Sequence, residues 1–184
     1  DPISYVEDDK EWVKSDSLKN GMCCIYDNNN ENENIAGRLY NYYSIIDKRK
    51  IAPKGWHIAT FDEWYKLIKP RSVDSEFHGE PLYILKNSFF LSTFNIMSGT
   101  GLRVETGTFG GANNVCTFWM TDGKDTADCL SAPISWIASE GGVAACNLYD
   151  YKHGTYKKNG LSIRCVKDTP KITTQPIKRI IHKK

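Results

Sequence analysis

The ten residues "GWHIATFDEW", Gly55 to Trp64, restrict the fold more than any other stretch. Pro53 and Gly55 mark a turn ahead of them. Trp56 and Ile58 then alternate with His57 and Ala59, the two-residue period of a short strand. Thr60 is a good helix N-cap, and Glu63, three residues on, completes a capping box. Asp62 and Glu63 also put negative charge at the positive end of the helix dipole. Phe61, Trp64, Leu67 and Ile68 fall on one face. Pro70 has no backbone donor and ends the run. The spacing predicts a short strand followed by an amphipathic helix over 61–68.

Elsewhere the regular runs are shorter. "SYVEDDKEWVKSDSL" is an acidic opening segment, and "MCCIY" has the length and apolarity of a strand. "DNNNENEN" reads as a polar loop, because Asn and Asp bond their own backbone and tolerate left-handed geometry. "GRLYNYYSII" is β-branched and aromatic and fits a strand or a short helix. From residue 82 to 168 short runs sit between Gly and Asn clusters: "FFLSTFNIM", "GLRVETGTF", "VCTFWMT", "LSAPISWIA", "GVAACNLY" and "GLSIRCV". These read as short strands joined by long loops. Five Trp, ten Tyr and seven Phe supply the apolar area that long aliphatic helices would otherwise bring. The expectation is one domain of short strands, few helices and long loops over 1–168, followed by a basic extended tail over 169–184.

The tail, "TPKITTQPIKRIIHKK", carries Lys171, Lys178, Arg179, Lys183 and Lys184 and no acid. The whole chain has 24 Lys and Arg against 22 Asp and Glu. Without those five the body is mildly acidic, so the positive balance belongs to the tail. No apolar run approaches the length needed to cross a bilayer. The chain opens at Asp1 rather than Met, which is read as a mature or trimmed polypeptide. Its six cysteines, Cys23, Cys24, Cys116, Cys129, Cys146 and Cys165, show neither Cys-x-x-Cys nor zinc-finger spacing. An even number in a loop-rich chain favours disulfides and an oxidising compartment. Cys23 and Cys24 are neighbours on one strand and point to opposite faces, so they do not pair with each other.

Three stretches in one order, "GRLYNYYSIIDKRKIAPKGWHIATFDEW", "GTFGGANNVCTFWMTDG" and "KKNGLSIRCVKD", resemble the Fibrobacter succinogenes major paralogous domain family. That family occurs in secreted and surface proteins of Fibrobacter and Bacteroidetes. The resemblance covers about residues 5–168 and implies a C-type-lectin-like α+β fold, related to the formylglycine-generating, sulfatase-modifying superfamily. "TFWMTDG" looks like the family's Trp-Trp-Ser-Ser segment, with Phe118 and Trp119 at the paired aromatics. "CIYDN" matches its Cys-Tyr-Tyr-Asp-Asn, which singles out Cys24. Cys24 and Cys165 then occupy the two family cysteine positions, and the resemblance implies a disulfide between them. The other four cysteines depart from the pattern, as does the stretch 71–93.

No Gly-x-Ser-x-Gly, His-Glu-x-x-His, P-loop or dinucleotide fingerprint is present. His57, His78, His153 and His182 have no ligand spacing, and His57 reads as a hydrogen-bonded residue of the fold motif rather than a general base. The superfamily suggests oxidation at a cysteine pair, Cys116 with Cys129 or Cys146; a structural disulfide there is the favoured reading. The calcium and sugar motifs of C-type lectins are missing. No metal and no cofactor are therefore expected. Trp136, Tyr149, Tyr151 and Tyr156, in the loop-rich last third, are candidate contacts for glycan or protein loops, although core packing accounts for aromatics equally well. Lys178 and Arg179 in the tail are candidate contacts for an acidic partner subunit. "DSL" at 16–18 and "DTA" at 125–127 resemble a Bacteroidetes O-glycosylation signal, with Ser17 and Thr126 as acceptors. The expected function is a non-enzymatic, exported binding or accessory module of a bacterial cell-surface or outer-membrane assembly. Nucleic acid is not an expected partner. The alternatives are a formylglycine-generating-type oxidase, active or degenerate, and a phage or retroelement-diversified receptor-binding protein.

Overall fold

In the computed structural model the described residues are 3–69, 72–77, 80–85, 102–110, 115–121, 134–138, 144–148 and 157–169. The chain opens with β1 (Ser4–Tyr5), then α1 (Asp9–Val13) and α2 (Ser15–Leu18). Asp8 caps α1: its side chain accepts from the Glu11 amide at 2.7 Å. β2 (Met22–Ile25) leads through a 3-10 turn (Tyr26–Asn28) to α3 (Glu31–Ala36) and β3 (Arg38–Tyr40). Residues 31–34, read from sequence as the end of a polar loop, thus belong to a helix. Acids at Glu31 and Glu33 suit its first turn, and Gly37, at φ +74°, ends it. Glu33 also pairs with Arg38 at 2.7 Å, tying the helix to the strand that follows.

"GRLYNYYSII" resolves into both of its expected forms. β3 ends at Tyr40, Asn41 caps, and α4 (Tyr42–Ile45) follows. Asn41 is fully buried and accepts from the amides of Met22 and Ser44, while its own amide donates to Asn20 O. A buried amide so fully used fixes where α4 starts. β4 (Trp56–Ile58) and α5 (Phe61–Ile68) form the strand-to-helix unit the sequence predicts. The capping box is complete: Thr60 Oγ1 accepts from the Glu63 amide, and Glu63 accepts from the Thr60 amide.

The remaining strands are β5 (Ser72–Phe77), β6 (Glu80–Leu85), β7 (Leu102–Arg103), β8 (Phe109–Gly110), β9 (Val115–Phe118), β10 (Ile134–Ala138), β11 (Ala144–Leu148) and β12 (Cys165–Lys167). They assemble as small sheets. β1, β2 and β3 make one, β5-β6-β11-β10-β9 a five-stranded one, and β12-β4 and β7-β8 make two pairs. The architecture is α+β, with short helices and several small sheets.

"NGLSIRCV" joins these pieces. Gly160 bridges to Arg103, Leu161 to Tyr40 and Ser162 to Phe118 before β12 takes up its pairing with β4. Gly160 is required because an added Cβ would lie 2.9 Å from the Trp12 ring and 3.0 Å from Arg103 Cβ. Among the described residues one core cluster holds Val6, Trp12, Met22, Cys24 and Leu39, and another holds Tyr42, Tyr43, Trp119 and Leu161 of the closing segment itself. Trp119 Nε1 donates to Tyr40 O and Trp12 Nε1 to Lys158 O, so these two buried indoles are satisfied, while the Nε1 of buried Trp64 is left without a hydrogen-bond partner among the described residues.

Arg103 is the polar centre of the first cluster, with no exposed surface. Its guanidinium lies 4.6 Å from the Trp12 ring and 4.9 Å from that of Phe109. It donates to Gly107 O, Val6 O, Glu7 O and Asp9 Oδ1 at 2.6–2.9 Å. A buried charge persists only with such pairing. Gly107, at φ +93°, is part of the arrangement: a Cβ there would come within 2.9 Å of Asp9.

Candidate functional site

The strand-to-helix unit that the sequence singled out carries the main cluster of titratable side chains among the described residues. His57 leaves β4 on the face opposite Trp56 and Ile58. Its Nδ1 lies 2.7 Å from Asp168 Oδ1, just after β12. Its Nε2 lies 2.9 and 3.0 Å from the two Glu63 oxygens on α5. Glu63 in turn accepts from the Thr60 amide and hydroxyl, both at 2.9 Å. The capping box that starts the helix therefore also aims a carboxylate at the histidine. His57 and Asp168 are half open to water, their side chains 40% and 53% exposed.

The electrostatics follow from these contacts. Asp168 raises the His57 pKa above 6.5, burial opposes it, and Glu63 adds to the rise. Burial pushes Glu63 up, but the Thr60 donors and His57 outweigh it and leave its pKa below 4.5. A histidine with carboxylates on both ring nitrogens has no free nitrogen with which to take a substrate proton. This matches the sequence reading of His57 as a hydrogen-bonded fold residue.

Aromatic groups border the same unit. Phe61 and Tyr65, one helical turn apart on α5, are stacked with ring centroids 6.2 Å apart and planes at 14°. Tyr65 is 37% exposed, and Trp56, at the start of β4, is 42% exposed. On the helix circumference this pair and Glu63 fall on opposite sides of buried Trp64. Trp64 packs 5.4 Å from Phe118. One rim of α5 is thus aromatic and the other ionic. Sequence reasoning assigned Phe61 to the core and did not single out Trp56 or Tyr65 as surface groups. The available signal was position: Tyr65 lies past the edge of the apolar face, and Trp56 at the strand's first residue.

The cysteines require a correction. Cys23, Cys24 and Cys165 are free thiols, so the Cys24–Cys165 disulfide is not formed. Cys24 stands opposite Leu39 in the first sheet and belongs to the core cluster around Trp12. Cys165 stands opposite Ile58 in a different strand pair. Burial raises the Cys24 pKa to about 11 against the pull of Arg103, and burial also raises those of Cys23 and Cys165. Cys23 and Cys24 do face opposite sides of β2, Cys23 toward Ile3 O and Tyr40. Cys116 and Cys146 both align with Trp136, one on each neighbouring strand. They are two strand spacings apart, roughly 9–10 Å, beyond disulfide reach.

Among the other anticipated residues, Trp136 is the central residue of β10, between β11 and the edge strand β9. Ser17 sits in α2, its hydroxyl donating to Lys14 O at 2.8 Å, while neighbouring Asp16 accepts from the Tyr43 hydroxyl. Tyr149, Tyr151, Tyr156, Thr126, Cys129, His78, His153, His182, Lys178 and Arg179 lie outside the described residues. Among the described residues no His, Cys, Asp and Glu group has metal-holding geometry, and no helix is long and apolar enough to cross a membrane.

The family model described as the Fibrobacter succinogenes major domain matches residues 2–167, and the chain belongs to that family. No curated protein and no solved structure matches it.

Proposed function

We propose that this member of the Fibrobacter succinogenes major domain family is a non-enzymatic binding module of an exported, cell-surface protein assembly, built on a C-type-lectin-like fold. The observation that carries the reading is the aromatic rim of the β4–α5 unit. Trp56 and the stacked Phe61–Tyr65 pair keep ring surface in water beside a rigidly capped helix. Such rings offer flat apolar faces to sugars or protein loops at low conformational cost. The cysteines support a non-enzymatic role. A thiol oxidase needs an accessible, low-pKa thiol beside a partner. Among the described cysteines, Cys23 and Cys24 are buried with raised pKa values, half-buried Cys165 is raised as well, and Cys116 and Cys146 are held apart by a strand.

In this reading the basic residues 169–184, with Lys178 and Arg179, dock on an acidic face of a partner subunit. Deleting residues 169–184 and measuring co-purification of the native assembly tests that part. For the aromatic rim the test is binding to an array of bacterial surface glycans and envelope peptides, comparing the wild type with Trp56→Ala and Tyr65→Ala. Binding that disappears in either folded variant is expected. Binding indifferent to both, or copper-dependent conversion of a substrate cysteine to formylglycine, contradicts the reading.

A further inference from the structure

We propose that protonated His57 is a pH-operated clasp fastening the end of the closing strand to α5. Three segments meet at one ring: β4 supplies the imidazole, α5 supplies Glu63, and the residue after β12 supplies Asp168. Both ring nitrogens face carboxylate oxygens within 3.0 Å. A neutral imidazole donates from one nitrogen only, so either tautomer sets a lone pair against a carboxylate. Only the imidazolium satisfies both contacts at once. Asp168 and Glu63 are the charged groups that act on the ring, and Thr60 acts through Glu63. Lys167, the base directly before Asp168, aligns with Trp56 and so lies on the opposite face of the strands.

The two contacts are not equal when the proton leaves. Glu63 keeps the Thr60 amide and hydroxyl, while Asp168 is the more exposed partner and water can replace the ring. Release therefore occurs at Asp168. The strand end is then held by the bond from the Asp168 amide to Gly55 O at 2.9 Å. Asp168 directly follows the last residue matched by the family model, which places the clasp at the domain's edge.

The pH window follows from the two shifts. The His57 pKa is raised above 6.5, so its contribution is complete below 6.5 and fades as pH rises through the folded-state value. The Glu63 pKa is lowered below 4.5, so its contribution is complete above 4.5 and is lost as pH falls through the folded-state value. The clasp is strongest at mildly acidic pH and opens toward alkaline pH.

The test is nitrogen-15 NMR on the full chain from about pH 5 to about pH 9, the span over which a histidine changes charge. It reads the His57 ring nitrogens and the protection factor of the Asp168 amide. A His57 midpoint above 6.5 is expected, with Asp168 protection falling through the same midpoint. Asp168→Asn removes a half-exposed carboxylate without touching the core, so the variant folds. In it the midpoint drops toward 6.5. His57→Gln leaves Asp168 weakly protected at every pH. A wild-type midpoint at or below 6.5, or Asp168 protection constant across the titration, overturns the proposal.

Discussion

Arg103 and His57 each fasten a distant segment to the middle of the chain, and they do so under opposite physical conditions. Arg103 ties the opening segment, through Val6, Glu7 and Asp9, to the β7–β8 hairpin. It has no exposed surface, and aromatic rings lie against its guanidinium. A guanidinium stays charged at every ordinary pH, so this tie is permanent. His57 ties the closing strand to α5, half exposed, through a ring whose charge changes near neutrality. Burial makes the first tie strong and invariant. Exposure makes the second weak and adjustable. A domain built from small sheets has both a fixed end and a titratable one.

The contrast can be broken most forcefully at the fixed end. Arg103→Met takes the donor from the Asp9 carboxylate and from the Gly107 and Val6 carbonyls, while Glu7 O keeps the Asn28 side-chain amide; it is expected to cost about 3–5 kcal/mol in all, at about 1–3 kcal/mol for each orphaned buried carbonyl. Urea unfolding measures it, and the cost should be the same at mildly acidic and mildly alkaline pH. Gly160→Ala forces a methyl against Trp12 and Arg103 and should cost about 1–3 kcal/mol by overpacking. At the adjustable end, Asp168→Asn is expected to cost at most about 1 kcal/mol, the range of an exposed ion pair, and only while His57 is charged. Smallest of all is Tyr65→Ala, about 0.5 kcal/mol, the range of a ring pair one helical turn apart, because Tyr65 is more than a third exposed; its main effect belongs to binding. Thiol labelling probes the core between the two ties. Cys23 and Cys24 should react only on unfolding, whereas fast labelling of either in the native protein contradicts their burial.

The sequence made these two regions legible to different degrees. α5 was readable because every determinant is local: the cap, the carboxylate three residues on, the apolar face and the stop at Pro70. Glu63 was visible as part of the capping box, but its second partner was not. His57 and Asp168 are 111 residues apart, and no periodicity joins them. Arg103 was hidden for the same reason. In "GLRVETGTF" it reads as one polar residue of a short strand; Gly107 and Phe109 of that stretch are partners, but the rest come from residues 6 to 12. α3 was misread because its Asn and Glu run lacks an apolar stripe, while its ends are set by acids in the first turn and by Gly37. The Cys24–Cys165 pairing rested on matched positions in a family pattern, and strand register set the two residues in different sheets.

Urea unfolding of the wild type, His57→Gln and Arg103→Met, run side by side from about pH 5 to about pH 9, sets the titratable tie directly against the permanent one. The wild type should exceed His57→Gln by up to about 1 kcal/mol at the acidic end, with the gap closing as pH rises through the His57 pKa. The deficit of Arg103→Met should stay constant across the series. A His57→Gln gap that does not change with pH, or an Arg103→Met deficit that does, contradicts the division between a fixed and an adjustable tie.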